Sequence, residues 1–356
     1  MLRYLTAGES HGPQLTAILE GMPAGLPLTE ELINKDLARR QLPLGAGGRM
    51  KIETDCVKIT SGVMSGKTTG APIAFQIFNT DHANWKGKEV PAYTIPRPGH
   101  CDLSATIKYG HDDIRPALER ASARETAARV AVGAACRALL SHFGVSISGQ
   151  VIQIGPEPDP ANFAHVIEAA RTEGETLGGI IEVTADHLPV GLGSYVQWDR
   201  RLDARLAHAM MGIPAMKGVE IGDAFANAAL PGTQVHDAIN TDLSRDTNNC
   251  GGIEGGMSNG QPIVIYLAMK PIPTTIKHQH SMDFVTGKAS ETKYERSDVC
   301  PVPRAVVVAE AAAAYVLADA LIEKIGGDSI AEMTPRFEQI KNAKPHASGK
   351  PHVFWP

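Results

Sequence analysis

Residues 118–144 read LERASARETAARVAVGAACRALLSHFG: a polar start bearing two arginines runs into a row of small apolar residues. Ala127, Ala128, Val130, Ala131, Ala134, Ala135, Leu139 and Leu140 fall on more than one side of a 3.6-residue turn. A helix patterned this way is buried on several faces. The pattern predicts a helix from about Leu118 to Phe143, stopped by Gly144. On it Arg120 and Arg124 stand one turn apart and share a face.

A second small-residue helix is expected from near Pro303 to Gly326-Gly327. Thr29 is an N-cap for a third, from Glu30 to about Gln41, with Leu32, Ile33 and Leu37 on its apolar face. Shorter helices are read at Phe163 to Arg171 and Leu202 to Met211. Alternating or apolar runs bounded by turn residues predict strands at Lys51 to Ile59, Pro72 to Phe78, Ser148 to Ile154, Gly179 to Val183 and Pro262 to Met269. These strands come in groups between helices, which points to an α+β fold with antiparallel sheets. Each small-residue helix follows an arginine-bearing motif (Arg120 and Arg124; Arg296 and Arg304), a hint of internal duplication.

The 356 residues suffice for one large domain or two, and the formal net charge of −5 with no Lys/Arg block argues against a nucleic-acid partner. No apolar run reads as long enough to span a bilayer, and the start lacks a signal-peptide pattern. The five scattered cysteines contain no Cys-x-x-Cys, which argues for reduced, cytoplasmic thiols over a disulfide framework or a thiolate zinc site.

Four segments bear on chemistry. Gly8-Glu9-Ser10-His11-Gly12-Pro13 puts a titratable imidazole in a glycine-bounded turn. Arg97-Pro98-Gly99-His100-Cys101-Asp102 and Arg296-Ser297-Asp298 set charged groups in tight loops. Asn248 to Gly260 holds five glycines and three asparagines, read as a ligand cradle in preference to a mobile loop. Ser61 to Thr68 imitates a phosphate-binding loop, but Ser61 replaces its first glycine and Thr69-Gly70-Ala71-Pro72 starts no good helix, so a surface hairpin is expected. His278-Gln279-His280 reads as a solvated loop and His111-Asp112-Asp113 as a polar turn, so no metal is expected. No Gly-x-Gly-x-x-Gly opens a helix, which argues against a Rossmann cofactor site. Arg39, Arg40, Arg49, Arg97, Arg120, Arg124, Arg129, Arg296 and Arg304 lie in or beside these motifs and together would suit a polyanionic ligand. Glu119, Glu125 and Asp298 would partly neutralise the empty site.

In this order the motifs resemble chorismate synthase. So do Glu20-Gly21-Met22-Pro23-Ala24-Gly25, Leu37-Ala38-Arg39-Arg40-Gln41, Lys217-Gly218-Val219-Glu220-Ile221-Gly222 and Lys270-Pro271-Ile272-Pro273-Thr274, so that the resemblance covers essentially the whole chain. It implies a layer of helices between two antiparallel sheets, one integrated domain over residues 1–356, a homotetramer and a cytoplasmic location. It also implies an anti-1,4-elimination that turns 5-enolpyruvylshikimate 3-phosphate into chorismate and phosphate, using reduced FMN with no net redox change. Whether NADPH or a separate flavin reductase supplies the electrons stays open. A flavin oxidoreductase and a silent flavin- or phosphometabolite-binding protein are the rival readings.

By the same resemblance, His11 stands beside the flavin, keeping it anionic or protonating it. His100 is the acid next to the leaving phosphate, and Asp298 works with flavin N5 in removing the ring proton. Ser10, Arg40, Arg49 and Arg124 hold the substrate. Arg120, Ala121, Ser122, Ala215, Gly255, Lys270, Pro271, Ile272, Pro273, Thr274 and Arg296 contact the cofactor. Three positions depart from the family pattern: Ala46 where many relatives have Arg (with Arg49 as a substitute), Ala121 where Ser is common, and Pro214 where an amide side chain is usual.

Overall fold

The computed structural model describes residues 1–41, 44–45, 54–294, 297–341, 343–345 and 349. The first sheet is antiparallel and contains β1 (Arg3–Ala7), β2 (Gln14–Glu20), β3 (Val57–Ser61) and β4 (Ile73–Phe78) in the order β1-β2-β4-β3. Period-two alternation puts Leu15, Ala17 and Leu19 of β2 opposite Ile77, Phe75 and Ile73 of β4, and all six are buried. A second antiparallel sheet repeats the plan. Its strands are β5 (Ser146–Ile154), β6 (Gly179–Asp186), β7 (Met216–Ile221) and β8 (Ile263–Met269), in the order β5-β6-β8-β7. Ile181, Val183 and Ala185 of β6 face Leu267, Ile265 and Ile263 of β8, again buried.

The two halves share detail beyond strand order. A two-stranded hairpin lies between β3 and β4 (Val63–Met64 with Lys67–Thr68) and another between β7 and β8 (Ile253–Glu254 with Met257–Ser258). In the first half Gly25 N donates to Thr68 O at 2.8 Å, Leu26 N to Thr68 Oγ1 at 2.9 Å and Thr68 Oγ1 to Pro23 O at 2.6 Å. In the second, Gly191 N donates to Ser258 O at 2.8 Å, Leu192 N to Ser258 Oγ at 2.9 Å and Ser258 Oγ to Pro189 O at 2.7 Å. The near P-loop is thus a hairpin, and the glycine-rich segment is its counterpart.

Among the described residues the α-helices of six residues or more are α1 (Glu30–Arg40), α2 (Asp102–Tyr109), α3 (Arg115–Arg120), α4 (Thr126–His142), α5 (Phe163–Glu173), α6 (Leu202–Met211), α7 (Val302–Ile325) and α8 (Ile330–Lys341). Thr29 caps α1 by accepting from Leu32 N; Ile33 and Leu37 are buried, whereas Leu32 is exposed, which narrows the expected apolar face. The expected helix from Leu118 to Phe143 is broken. Ser122 is extended and its hydroxyl accepts from Arg124 N, so α3 ends before it and α4 begins after a short 3-10 turn. Strands β1, β2 and β7 were not read from sequence; β1 is a half-exposed edge and β7 carries Lys217, Gly218 and Glu220. His280 opens a hairpin strand (His280–Asp283 with Lys288–Glu291), so the segment 278–280 is not simply a solvated loop.

Helices α4 and α7 pack on each other; α4 also contacts β2 and β4, and α7 contacts β5 and β6. Their small residues allow this close approach, and one continuous buried cluster runs through both sheets and both helices. Helix α7 is long and apolar enough to cross a membrane, contrary to the sequence expectation, but 89% of that stretch is buried inside the fold. At the crossing, a Cβ on Gly133 would lie 2.4 Å from Ala311 Cα and 2.3 Å from its Cβ. Gly133→Ala should therefore destabilise the chain by about 3 kcal/mol, the upper end for overpacking, read as a lower urea midpoint at unchanged slope. An unshifted midpoint would mean that the crossing is looser than this geometry.

Candidate active site

The turn between β1 and β2 presents His11. Gly8 makes that turn possible: its φ is +112°, and a Cβ there would sit 2.5 Å from Gln14 O. Glu119, at the end of α3, grips the turn. One carboxylate oxygen lies 2.7 Å from His11 Nδ1, and the other accepts from His11 N at 2.7 Å. The buried Ser10 donates its backbone N–H to Glu119 O at 3.1 Å. Trp85 packs on the imidazole with ring centres 4.2 Å apart and planes tilted by 36°, and Asn79 Nδ2 donates to Glu9 O and Gly12 O.

The break in the expected helix separates its two arginines. Arg120 is exposed and bends back to Gly8 O, Thr6 O and Thr6 Oγ1. Arg124 is buried, donating from Nε to Asn79 Oδ1 at 2.8 Å and pairing through Nη1 with Asp55. They share no face. Arg40, only 1% exposed at the end of α1, meets the other oxygen of Asp55 at 3.1 Å and also donates to Thr126 Oγ1 and Ala123 O. Two guanidinium groups thus share one fully buried carboxylate, leaving a net positive charge. Burial pulls Arg40 down to about 10; Asp55 opposes this, while Arg304 and Arg124 add to it. Arg304 is near enough to be felt there and pairs through Nη1 with Asp298 Oδ2 at 2.8 Å.

His100 is held by a second carboxylate. Its Nδ1 lies 2.5 Å from Asp102 Oδ1, and Arg97 clamps the same carboxylate through its backbone N, Nε and Nη2. Burial alone would raise Asp102, but hydrogen bonds from His100 and Arg97 outweigh it and hold the carboxyl well below the usual range. Arg97 Nη1 reaches Thr274 Oγ1 at 3.0 Å, Lys270 Nζ reaches Gly99 O at 2.9 Å, and Ser297 Oγ reaches Thr274 O at 3.1 Å. Ala215, at φ +67°, accepts from Lys270 N, and Ile272 O accepts from Thr176 Oγ1. Burial lowers Lys270, and the charge of Lys217 adds to the effect.

These contacts form two runs of one belt: the His11 turn, Asn79, Arg124, Asp55 and Arg40 in the first, and Arg304 with Asp298, then Ser297, Thr274, Arg97 and His100 in the second; Arg40 and Arg304 are linked by charge and not by a hydrogen bond. Not every expected residue joins it. Arg39 turns away to the buried Glu310, and Arg129 pairs with Glu125. Gly255 sits at the second hairpin's tip with open space above it. In the same segment Gly251 packs against the backbone of Gly222 and Gly252 against that of Pro262, so the segment is an ordered hairpin and not a mobile loop. Arg49, Arg296 and Ala46 lie outside the described residues. Asp55 had no sequence signal: it falls in the strand expected from Lys51 to Ile59, of which Val57 onward is strand and residues 51–53 lie outside the described residues. Asp102 stood two residues after His100 within a quoted motif, and that spacing was its signal.

The family pattern described as chorismate synthase matches residues 2–322. The chorismate synthase of Caldanaerobacter subterraneus subsp. tengcongensis is 53% identical over 341 residues, which cover 95% of this chain and 97% of that one. That of Chlorobaculum tepidum is 49% identical, covering 96% and 98%. A crystal structure of chorismate synthase superposes with a TM-score of 0.78 at 44% identity, covering 96% of this chain and 97% of the other. A likeness of that degree over both full lengths, in sequence and in fold, means that this chain belongs to the chorismate synthase family.

Proposed function

We propose that the belt carries out the anti-1,4-elimination of phosphate from 5-enolpyruvylshikimate 3-phosphate, giving chorismate, with reduced FMN as cofactor and no net redox change. The observation that carries this reading is that two carboxylate-held imidazoles and Asp298 lie along one belt with four arginines, Arg40, Arg124, Arg304 and Arg97. The donor set fits a flavin phosphate and a substrate with two carboxylates and a phosphate: Arg304 Nε is buried with no hydrogen-bond partner among the described residues, and the charge of Lys217 is felt at Lys270. Arg120, Ala121, Ser122, Ala215, Gly255, Arg296 and the run Lys270 to Thr274 would hold the cofactor. Ala121 would contribute backbone only, and Pro214 would contribute neither an N–H nor an amide.

When bound, reduced FMN supplies electron density to the departing phosphate. The chain's own residues do the rest. Ser10, Arg40, Arg49 and Arg124 hold the substrate's anions, with Asp55 sharing or yielding its place on the two buried arginines. His100 gives a proton to the phosphate as its C–O bond breaks. Asp298 would receive the ring proton as that C–H bond breaks; the C–H electron pair forms one new double bond, the existing ring double bond shifts towards the carbon that loses phosphate, and the C–O pair leaves with the phosphate. The chain works as one unit over residues 1–356, as a cytoplasmic homotetramer. A helical layer between two sheets and an internal duplication fit the contacts of α4 and α7 and the repeated hairpins.

The test is an anaerobic assay with photoreduced FMN and the enolpyruvyl substrate, without pyridine nucleotide. Many turnovers of chorismate and phosphate per flavin are expected. Flavin oxidised in step with product would favour an oxidoreductase, and tight binding without phosphate release a silent binder.

A further inference from the structure

We propose that Glu119 is a positioning residue for His11. It holds the imidazole as the Nδ1–H tautomer, so that Nε2 is the nitrogen that exchanges protons. The inference rests on the reading of His11 as a functional histidine and assigns the device that sets its chemistry.

The geometry admits little else. At neutral pH an ionised carboxylate only accepts hydrogen bonds. One Glu119 oxygen takes the His11 backbone N–H at 2.7 Å, and the other lies 2.7 Å from Nδ1, so Nδ1 must carry a proton. The backbone of Glu119 adds a third tie through Ser10 N at 3.1 Å. Trp85 at 4.2 Å fixes the plane of the ring and is itself anchored by Asp81. The turn's backbone is held as well, with His82 Nδ1 at His11 O and Arg120 at Gly8 O. His100 Nδ1 likewise lies 2.5 Å from Asp102 Oδ1, although Arg97 Nη2 is also 3.1 Å from that nitrogen. A partner on one ring nitrogen decides the state of the other.

Glu119→Gln separates this role from simple bracing of the turn. The amide has one accepting atom, yet two donors, His11 N–H and Nδ1–H, point at the position. Both hydrogen bonds survive only if the imidazole gives up its Nδ1 proton and becomes the Nε2–H tautomer. The measurement is the ¹⁵N spectrum of the histidines in the full-length protein at a pH where His11 is neutral, with His11 assigned through His11→Asn. Wild type should show Nδ1 protonated and Glu119→Gln should show Nε2 protonated. With reduced FMN and substrate saturating, kcat should fall on the order of tenfold to a hundredfold, the range for partners that orient functional histidines, with KM changed by less than about twofold. An Nε2–H tautomer in wild type would overturn the proposal without any mutant. So would a variant that kept Nδ1–H, whatever its stability. A tautomer that switches with no change in kcat would uphold the positioning role and sink the catalytic reading of His11.

Discussion

His100→Ala should leave a folded protein whose turnover is lower by about a hundredfold to ten-thousandfold, the usual cost of a lost general acid. The structure explains why folding survives. Removing the imidazole takes one partner from Asp102, but Arg97 still meets that carboxylate through its backbone N, Nε and Nη2, so no buried charge is stranded. The loss of one hydrogen bond to a charged group costs about 1.5–3 kcal/mol. The glycine at position 99, at φ +77°, keeps the loop's shape without the side chain. The checks are chorismate absorbance at saturating reduced FMN and a thermal melt. Wild-type turnover, or a chain that fails to fold, would show that His100 is not the acid.

Asp298→Asn should be as damaging to turnover, about a hundredfold or more, with FMN binding and stability near normal. A carboxylate just before a helix has a simpler use as a cap, and sequence alone left that open. The structure narrows it: α7 begins at Val302 with Pro301 at its N-cap and no side-chain cap hydrogen bond, while Asp298 pairs with Arg304 at 2.8 Å. Asn can still accept from Arg304, so the contact persists in weaker form, but an amide takes up no proton. Full activity with saturating reduced FMN would leave Asp298 as an electrostatic partner of Arg304 and nothing more.

Local patterns told a good deal about this chain. Thr29, the alternation along β8, and the small residues of α4 and α7 each act through neighbours within a turn or a strand, so their elements could be read directly. The glycine-bounded His11 turn and the Arg97-to-Asp102 loop were legible for the same reason. Half-exposed β1 and β7 were not, because their pairing partners, not their composition, make them strands. The helix from Leu118 was misjudged at Ser122, where a hydroxyl competing for a backbone N–H outweighs helix propensity.

The sequence by itself determined the buried helices, the antiparallel class, the two candidate imidazoles and the family they resemble. Only the tertiary structure decided which charges meet. It paired Glu119 with His11 across 108 positions, put Asp55 between Arg40 and Arg124, and sent Arg39 away to Glu310. The reason is physical. An arginine's sequence neighbours say whether it can lie on a helix. Which carboxylate it must find when buried depends on the groups that distant strands and helices bring within hydrogen-bond reach, since a desolvated charge is tolerated only where it is paired.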